Sequence, residues 1–212
     1  EQKKNILTKF LTASEEEDVT HIAFINKKTP ETSSWTYAHE LGRLYLKDAF
    51  HGRVRTKAYD NISDTEDAVA AIEQAIADGN EMIFTTSPEF LSASLRVAVN
   101  HPEIKILNCS LNASHKYIRT YYGRMYEAKF LIGVLAGVMT DTNKIGYIAD
   151  YPIFGMTANI NAFALGVKMV NPKAKIYLEW STLKENEHID LTAKLYSLGA
   201  TYISHQDMII PR

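Results

Sequence analysis

From Thr20 onward, short runs rich in β-branched and aromatic residues alternate with segments of helical period, and this alternation constrains the fold more than any other feature. Strands separated by helices of ten or more residues are the pattern of repeated βα units, which build a parallel sheet covered by helices. Strands are expected at Thr20–Asn26, Val54–Tyr59, Glu81–Ser87, Lys105–Ser110, Tyr117–Tyr122, Lys144–Asp150, Lys175–Trp180 and Thr201–Gln206. The fold class is therefore α/β, a Rossmann-like parallel three-layer sandwich.

The helices carry their own punctuation. Ser63-Asp64-Thr65-Glu66 has the spacing of a capping box, in which the Ser63 hydroxyl takes a backbone N–H and Glu66 reaches back, and Gly79 closes that helix. Ser87-Pro88 opens the next helix and Pro102 stops it. Met125–Met139 is apolar on most faces and is expected to be buried; Gly155–Val170 and Glu185–Leu198, closed by Gly199, follow. Asn5–Ala13 with the acidic Glu15–Asp18 reads as a short polar helix and a linker without core periodicity, the stub of something longer upstream. The polar segment Thr140–Asn143 marks a boundary. The expected organisation is a helical stub at 1–18, a first α/β lobe at 19–141 and a partial second lobe at 142–212, with Ile209 and Ile210 leading into sequence beyond this chain.

With 212 residues, the chain is long enough to bury a real core. It carries 23 Lys and Arg against 25 Asp and Glu, so no basic field draws phosphate backbones, and nucleic acid is not an expected partner. Cys109 is the sole cysteine, which excludes an internal disulfide and fits a buried thiol. The apolar run Phe130–Met139 is too short to span a bilayer, and EQKKNILTKF lacks the apolar core of a signal peptide.

In a parallel α/β sheet, ligands bind at the carboxyl ends of the strands. Those ends collect Thr29–Tyr37, Thr85–Ser87, Asn108–Leu111, Asp150–Phe154, Trp180–Thr182 and His205–Asp207. From them come the candidate ligand-binding residues Ser34, Trp35, Tyr37, Thr86, Ser87, Ser110, Asp150, Tyr151, Trp180, Gln206 and Asp207. Aromatic rings, amides, hydroxyls and carboxylates with few cations suit a flat, neutral ligand that is stacked upon and hydrogen-bonded at its edges. No GxGxxG or GxxxxGK[ST] follows a strand, so a phosphate is not the expected ligand, and neither GxSxG nor HExxH occurs. Trp35 has two readings, a staple fixing the first helix to the sheet and a platform for the ligand. Asp150 is a turn former or a ligand contact; His205-Gln206-Asp207 offers ligand hydrogen bonds, turn residues or an acid–base pair. His39 and Glu40, inside a helical pattern, are taken as exposed or capping residues.

The segments SSWTYAHELGR, EMIFTTSPEF, YGRMYEAKFLIGVLAGVM, KIGYIADYPI, NINAFALGVKMVNPKAKIYLEW and YISHQD resemble, in order, the basic membrane protein family, the purine-nucleoside-receptor branch of the substrate-binding proteins with the periplasmic-binding-protein type 1 fold. The likeness runs from about Thr20 to Asp207, nearly the whole chain but only part of the family's fold. It implies two lobes joined by a hinge that close on a purine base or nucleoside and deliver it to an ABC permease, at the cell surface, without catalysis or cofactor. The loop Thr32–Tyr37 would clamp the base, Asp150 and Tyr151 would contact it from the second lobe, and Gln206 and Asp207 would add polar contacts. The glycine-rich Asn-Asp form of nucleoside binders is absent, and WTYAH resembles the form associated with a free purine base. TPETSSWTYAHELGRLYL and KILNCSLNASHKYIRTYY are most similar to a long Gram-positive version with extra N-terminal helical sequence and no evident signal peptide. That likeness implies an alternative, a cytoplasmic purine-sensing domain of a larger regulator. A nucleoside-modifying enzyme using Asp150, His205 or Asp207 is the remaining expectation.

Overall fold

The computed structural model describes residues 19–110, 115–150, 155–186 and 188–205. The stub at 1–18 and the candidates Tyr151, Gln206 and Asp207 lie outside the described residues. The chain divides into two compact units, one ending at Tyr121 and the other beginning at Tyr122.

The first unit holds β1 (Thr20–Ile25), α1 (Ser34–Ala49), β2 (Val54–Tyr59), α2 (Thr65–Ala77), β3 (Met82–Thr85), α3 (Leu91–Asn100), β4 (Lys105–Cys109) and β5 (Ile118–Tyr121). All strand pairs are parallel and the order is β2-β1-β3-β4-β5, so the winding reverses between β1 and β3. One face buries Ala23, Ile25, Ile83, Ile106 and Ile118 against Ala68, Ile72 and Ala75 of α2 and Ala93 and Val97 of α3. Small residues on the helices and β-branched ones on the strands let the layers approach closely. The opposite face packs Ile22, Phe24 and Val54 with Met82, Phe84 and Leu46 of α1.

The second unit comprises α4 (Met125–Met139), β6 (Lys144–Ala149), α5 (Met156–Val170), β7 (Lys175–Trp180), α6 (Leu191–Ser197) and β8 (Tyr202–Ser204). Its three parallel strands run in the order β7-β6-β8, again with a reversal, here between β6 and β8. Thr140–Asn143 connects α4 to β6. One face buries Ile145, Tyr147 and Ala149 with Met156, Phe163 and Val167 of α5 and Ala136 of α4. The other carries Ile148, Leu191, Leu195 and Ala200.

All eight expected strands form, but three helical details differ. The N-cap of α2 is Asp64, whose carboxylate accepts the Asp67 N–H at 2.9 Å. Ser63 donates instead to the Asp67 carboxylate and Glu66 pairs with Arg96, so the reciprocal box does not form. The span expected as one helix from Glu185 is a 3-10 turn at Lys184–Asn186, then α6, capped by Asp190 accepting the Ala193 N–H.

Nor is α4 buried all round: Leu131, Leu135 and Val138 are 63%, 60% and 68% exposed. Its inward face is Lys129, Gly133, Ala136 and Gly137. A Cβ at Gly133 would stand 2.1 Å from the Phe163 carbonyl oxygen, and one at Gly166 would stand 2.1 Å from the Phe130 carbonyl oxygen. Backbone contact between α4 and α5 needs the small residues inward and leaves the large apolar ones outward.

Candidate functional site

In the first unit the winding reverses between β1 and β3, and open α/β sheets bind ligands at the carboxyl edge beside such a reversal. Trp35 follows β1 and Thr86 follows β3; the Trp35 indole Nε1–H donates to the Thr86 carbonyl at 2.6 Å, spanning that point. Ser33 positions the indole by capping α1, its hydroxyl accepting the Thr36 N–H at 3.3 Å. Ser34, the neighbouring candidate, is the first residue of α1 and half-buried.

The strand ends beneath are tied by polar side chains. Asn26, buried at the end of β1, donates through Nδ2 to Asp60 at 2.8 Å, which turns its Oδ1 toward the Thr86 hydroxyl, also at 2.8 Å. Asn108, buried near the end of β4, donates to the Ser87 carbonyl at 2.8 Å and to the Thr85 hydroxyl at 2.9 Å. The Ser87 hydroxyl accepts the Glu89 N–H at 3.3 Å and opens the 3-10 turn at Pro88. Thr86, Ser87 and Ser110 are all buried at this edge. Such a network holds the edge rigid.

Trp35 and Tyr37, adjacent in the sequence as an aromatic pair, are not neighbours on the helix. Positions i and i+2 point to different sides, whereas i and i+4 share one. The partner of Trp35 is His39, with ring centroids 5.3 Å apart, and His39 meets Tyr121 edge-on at 6.1 Å; Tyr121 in turn meets Phe84 at 5.6 Å. His39 Nδ1 lies 2.9 Å from the Trp35 carbonyl, an acceptor, so Nδ1 carries the proton. Burial holds the imidazole pKa below its ordinary value, against the smaller opposing effect of that hydrogen bond. Burial likewise raises the Tyr121 phenol and pushes the Cys109 thiol up to about 11. His39, expected to be exposed or capping, is instead half-buried against Trp35 and against Tyr121 of β5; the i, i+4 spacing from Trp35 was the available signal for it.

The second unit repeats the arrangement beside its own reversal. Asp150 follows β6 and is buried; Thr182 donates to its carbonyl at 2.6 Å, and the Ser181 hydroxyl lies 3.5 Å from Oδ1. Trp180, at the end of β7, is half-buried against the core around Tyr147 and Met156, and its carbonyl accepts from Asn186 at 2.8 Å. Lys129, only 3% exposed, donates to Ser204 Oγ at 2.8 Å and lies 5.0 Å above the Tyr147 ring. A buried cation inside so apolar a helix gave no periodic signal. His205, just after β8, is exposed and its carbonyl receives Lys129 Nζ at 3.4 Å.

Among the described residues no cluster of His, Cys, Asp and Glu could hold a metal ion, and no helix is long and apolar enough to cross a membrane. A groove of about 820 Å³ in the first unit runs along β4 and β5, lined by residues including Met82, Lys105, Leu107, Tyr117 and Arg119. It shares no lining residue with the Trp35–Thr86 edge, and we place the candidate site at that edge because the winding reversal and the aromatic and polar groups converge there.

The sequence model of a family described as ABC transporter substrate-binding protein, PnrA-like (Bmp), matches residues 19–208. The chain belongs to this family. It is 29% identical over 198 residues to a purine-binding protein of Brucella abortus, covering 92% of this chain and 57% of that protein. It is 28% identical over 146 residues to a putative ABC transporter glucose-binding protein of Haloferax volcanii, covering 69% and 37%. The chain thus spans little more than half of the first relative's length and less of the second's. Among solved structures, a solute-binding protein of an ABC transporter system from Conexibacter woesei superposes with a TM-score of 0.67 at 17% identity, covering 88% of this chain and 63% of that one. A transcriptional activator of the comK gene from Bacillus halodurans gives 0.68 at 16%, covering 86% and 62%. These likenesses bear on the fold, which is that of the type 1 periplasmic binding proteins.

Proposed function

We propose that this chain is the ligand-binding part of a non-catalytic solute-binding protein that takes a purine, preferring the free base to the nucleoside, and serves an ABC permease from the cell surface. The observation that carries the reading is the Trp35–Thr86 hydrogen bond. It consumes the indole's only donor on the protein and fixes the ring beside the winding reversal, so what Trp35 offers a ligand is a rigid aromatic face. Staple and platform are then one role. Beside it, Ser34, Thr86, Ser87 and Ser110 supply hydroxyls, with Tyr37 on a different side of α1; the family resemblance implies Asp150, Tyr151, Gln206 and Asp207 as second-unit contacts, and Trp180 is the strand-end candidate there. The purine-binding name of the Brucella relative supports the ligand class.

Calorimetric titration with adenine, hypoxanthine, guanine, adenosine, guanosine and glucose tests the reading. Saturable heat from a base, exceeding that from its nucleoside, is expected; binding of glucose alone, as the name of the Haloferax relative has it, would overturn it. Release of free base from a nucleoside would overturn its non-catalytic character.

A further inference from the structure

Asn108 is wholly buried, and its Nδ2 donates to the Ser87 carbonyl at 2.8 Å, the Thr85 hydroxyl at 2.9 Å and the Thr85 carbonyl at 3.4 Å. Turning the amide over would set Oδ1 against two carbonyl oxygens, so its orientation is fixed. Oδ1 is then a buried acceptor, and among the described residues it has no hydrogen-bond partner. Ser110, two residues on and 6% exposed, has a buried hydroxyl in the same condition. Ser110 directly follows β4, and its N–H donates to the Asn108 carbonyl at 3.0 Å, a tight turn that keeps the two residues close at the carboxyl end of the strand. Through Ser87 and Thr86 this end is one strand from the Thr86 carbonyl that accepts the Trp35 indole N–H.

Buried acceptors without partners are rare in native proteins and destabilise them, so two at a ligand-binding edge call for a donor from outside the fold. We infer that Asn108 Oδ1 and the Ser110 hydroxyl form the donor-reading subsite of this edge, taking an N–H of a neutral heterocycle. The inference rests on the proposed function and adds the chemistry that selects the ligand. An oxyanion is disfavoured, because Asn108 Oδ1 can only accept.

The test compares the wild-type chain with Ser110→Ala, titrating adenine, purine, which lacks the exocyclic amine, and 9-methyladenine, which lacks the N9–H. The wild type prefers adenine to whichever analogue lacks the donor that is read. Ser110→Ala weakens adenine binding by roughly tenfold and narrows that preference, as a site missing a hydrogen bond does. Its melting temperature is unchanged or raised, because the removed hydroxyl has no partner among the described residues. Unaltered ligand ranking in Ser110→Ala overturns the inference alone, as does a melting temperature several degrees lower, which would mark a structural hydroxyl. A wild-type chain that binds no purine overturns the proposed function, and the inference with it.

Discussion

The indole N–H of Trp35 donates to the carbonyl of Thr86, joining the helix after β1 to the end of β3. The bond separates two roles of one side chain, and two substitutions resolve them. Trp35→Phe keeps an aromatic face but leaves the Thr86 carbonyl without its donor, and is expected to cost about 1–2 kcal/mol in urea unfolding while retaining much of the purine affinity. Trp35→Ala removes ring and bond together and abolishes detectable binding in calorimetry.

The His39 imidazole titrates low because it is buried between Trp35 and Tyr121. The unfolded chain then binds a proton more readily than the native one below about pH 6.5, so the native state loses stability as pH falls through that value. Unfolding at pH 7.5 and pH 5.5 measures it: His39→Gln is expected to show a smaller acid loss than the wild type.

Two glycines predict opposite signs. Gly133→Ala drives a Cβ into the Phe163 carbonyl at the α4–α5 crossing and is expected to destabilise by about 3 kcal/mol. Gly42, in the middle of α1 with nothing within 4 Å of an added Cβ, becomes about 0.5–1 kcal/mol more stable as alanine. Thermal melts of both variants check the pair.

Cys109 is buried and its thiol is pushed up to about 11 by that burial. The thiolate is the reactive form, so alkylation by iodoacetamide at pH 8 is expected to be slow in the native chain and fast in urea. Comparable rates in both would contradict its burial.

Much of the fold was legible because the strand signal is local: HIAFI, MIFT and KIGYIA are β-branched and aromatic between clear turns, and all fall in strands. Long-range geometry was not. Asp64 replaces Ser63 as the cap because the choice depends on backbone dihedrals and on Arg96, thirty residues away, drawing off Glu66. Hydropathy alone read α4 as buried, since the glycines that bring α5 close look like gaps in an apolar run rather than its contact face. At the site, strand ends placed Trp35, Thr86, Ser87 and Ser110 on one edge; the pairing of Trp35 with His39 instead of Tyr37 follows from helix angle, and Lys129 from tertiary packing.

The central claim is that Trp35 presents its ring to a purine. The chain has two tryptophans, so fluorescence titration with adenine compares the wild type with Trp35→Phe, and the difference between them isolates Trp35. The account predicts saturable quenching that coincides with the calorimetric isotherm. Calorimetric binding of adenine without any change in Trp35 emission would contradict it.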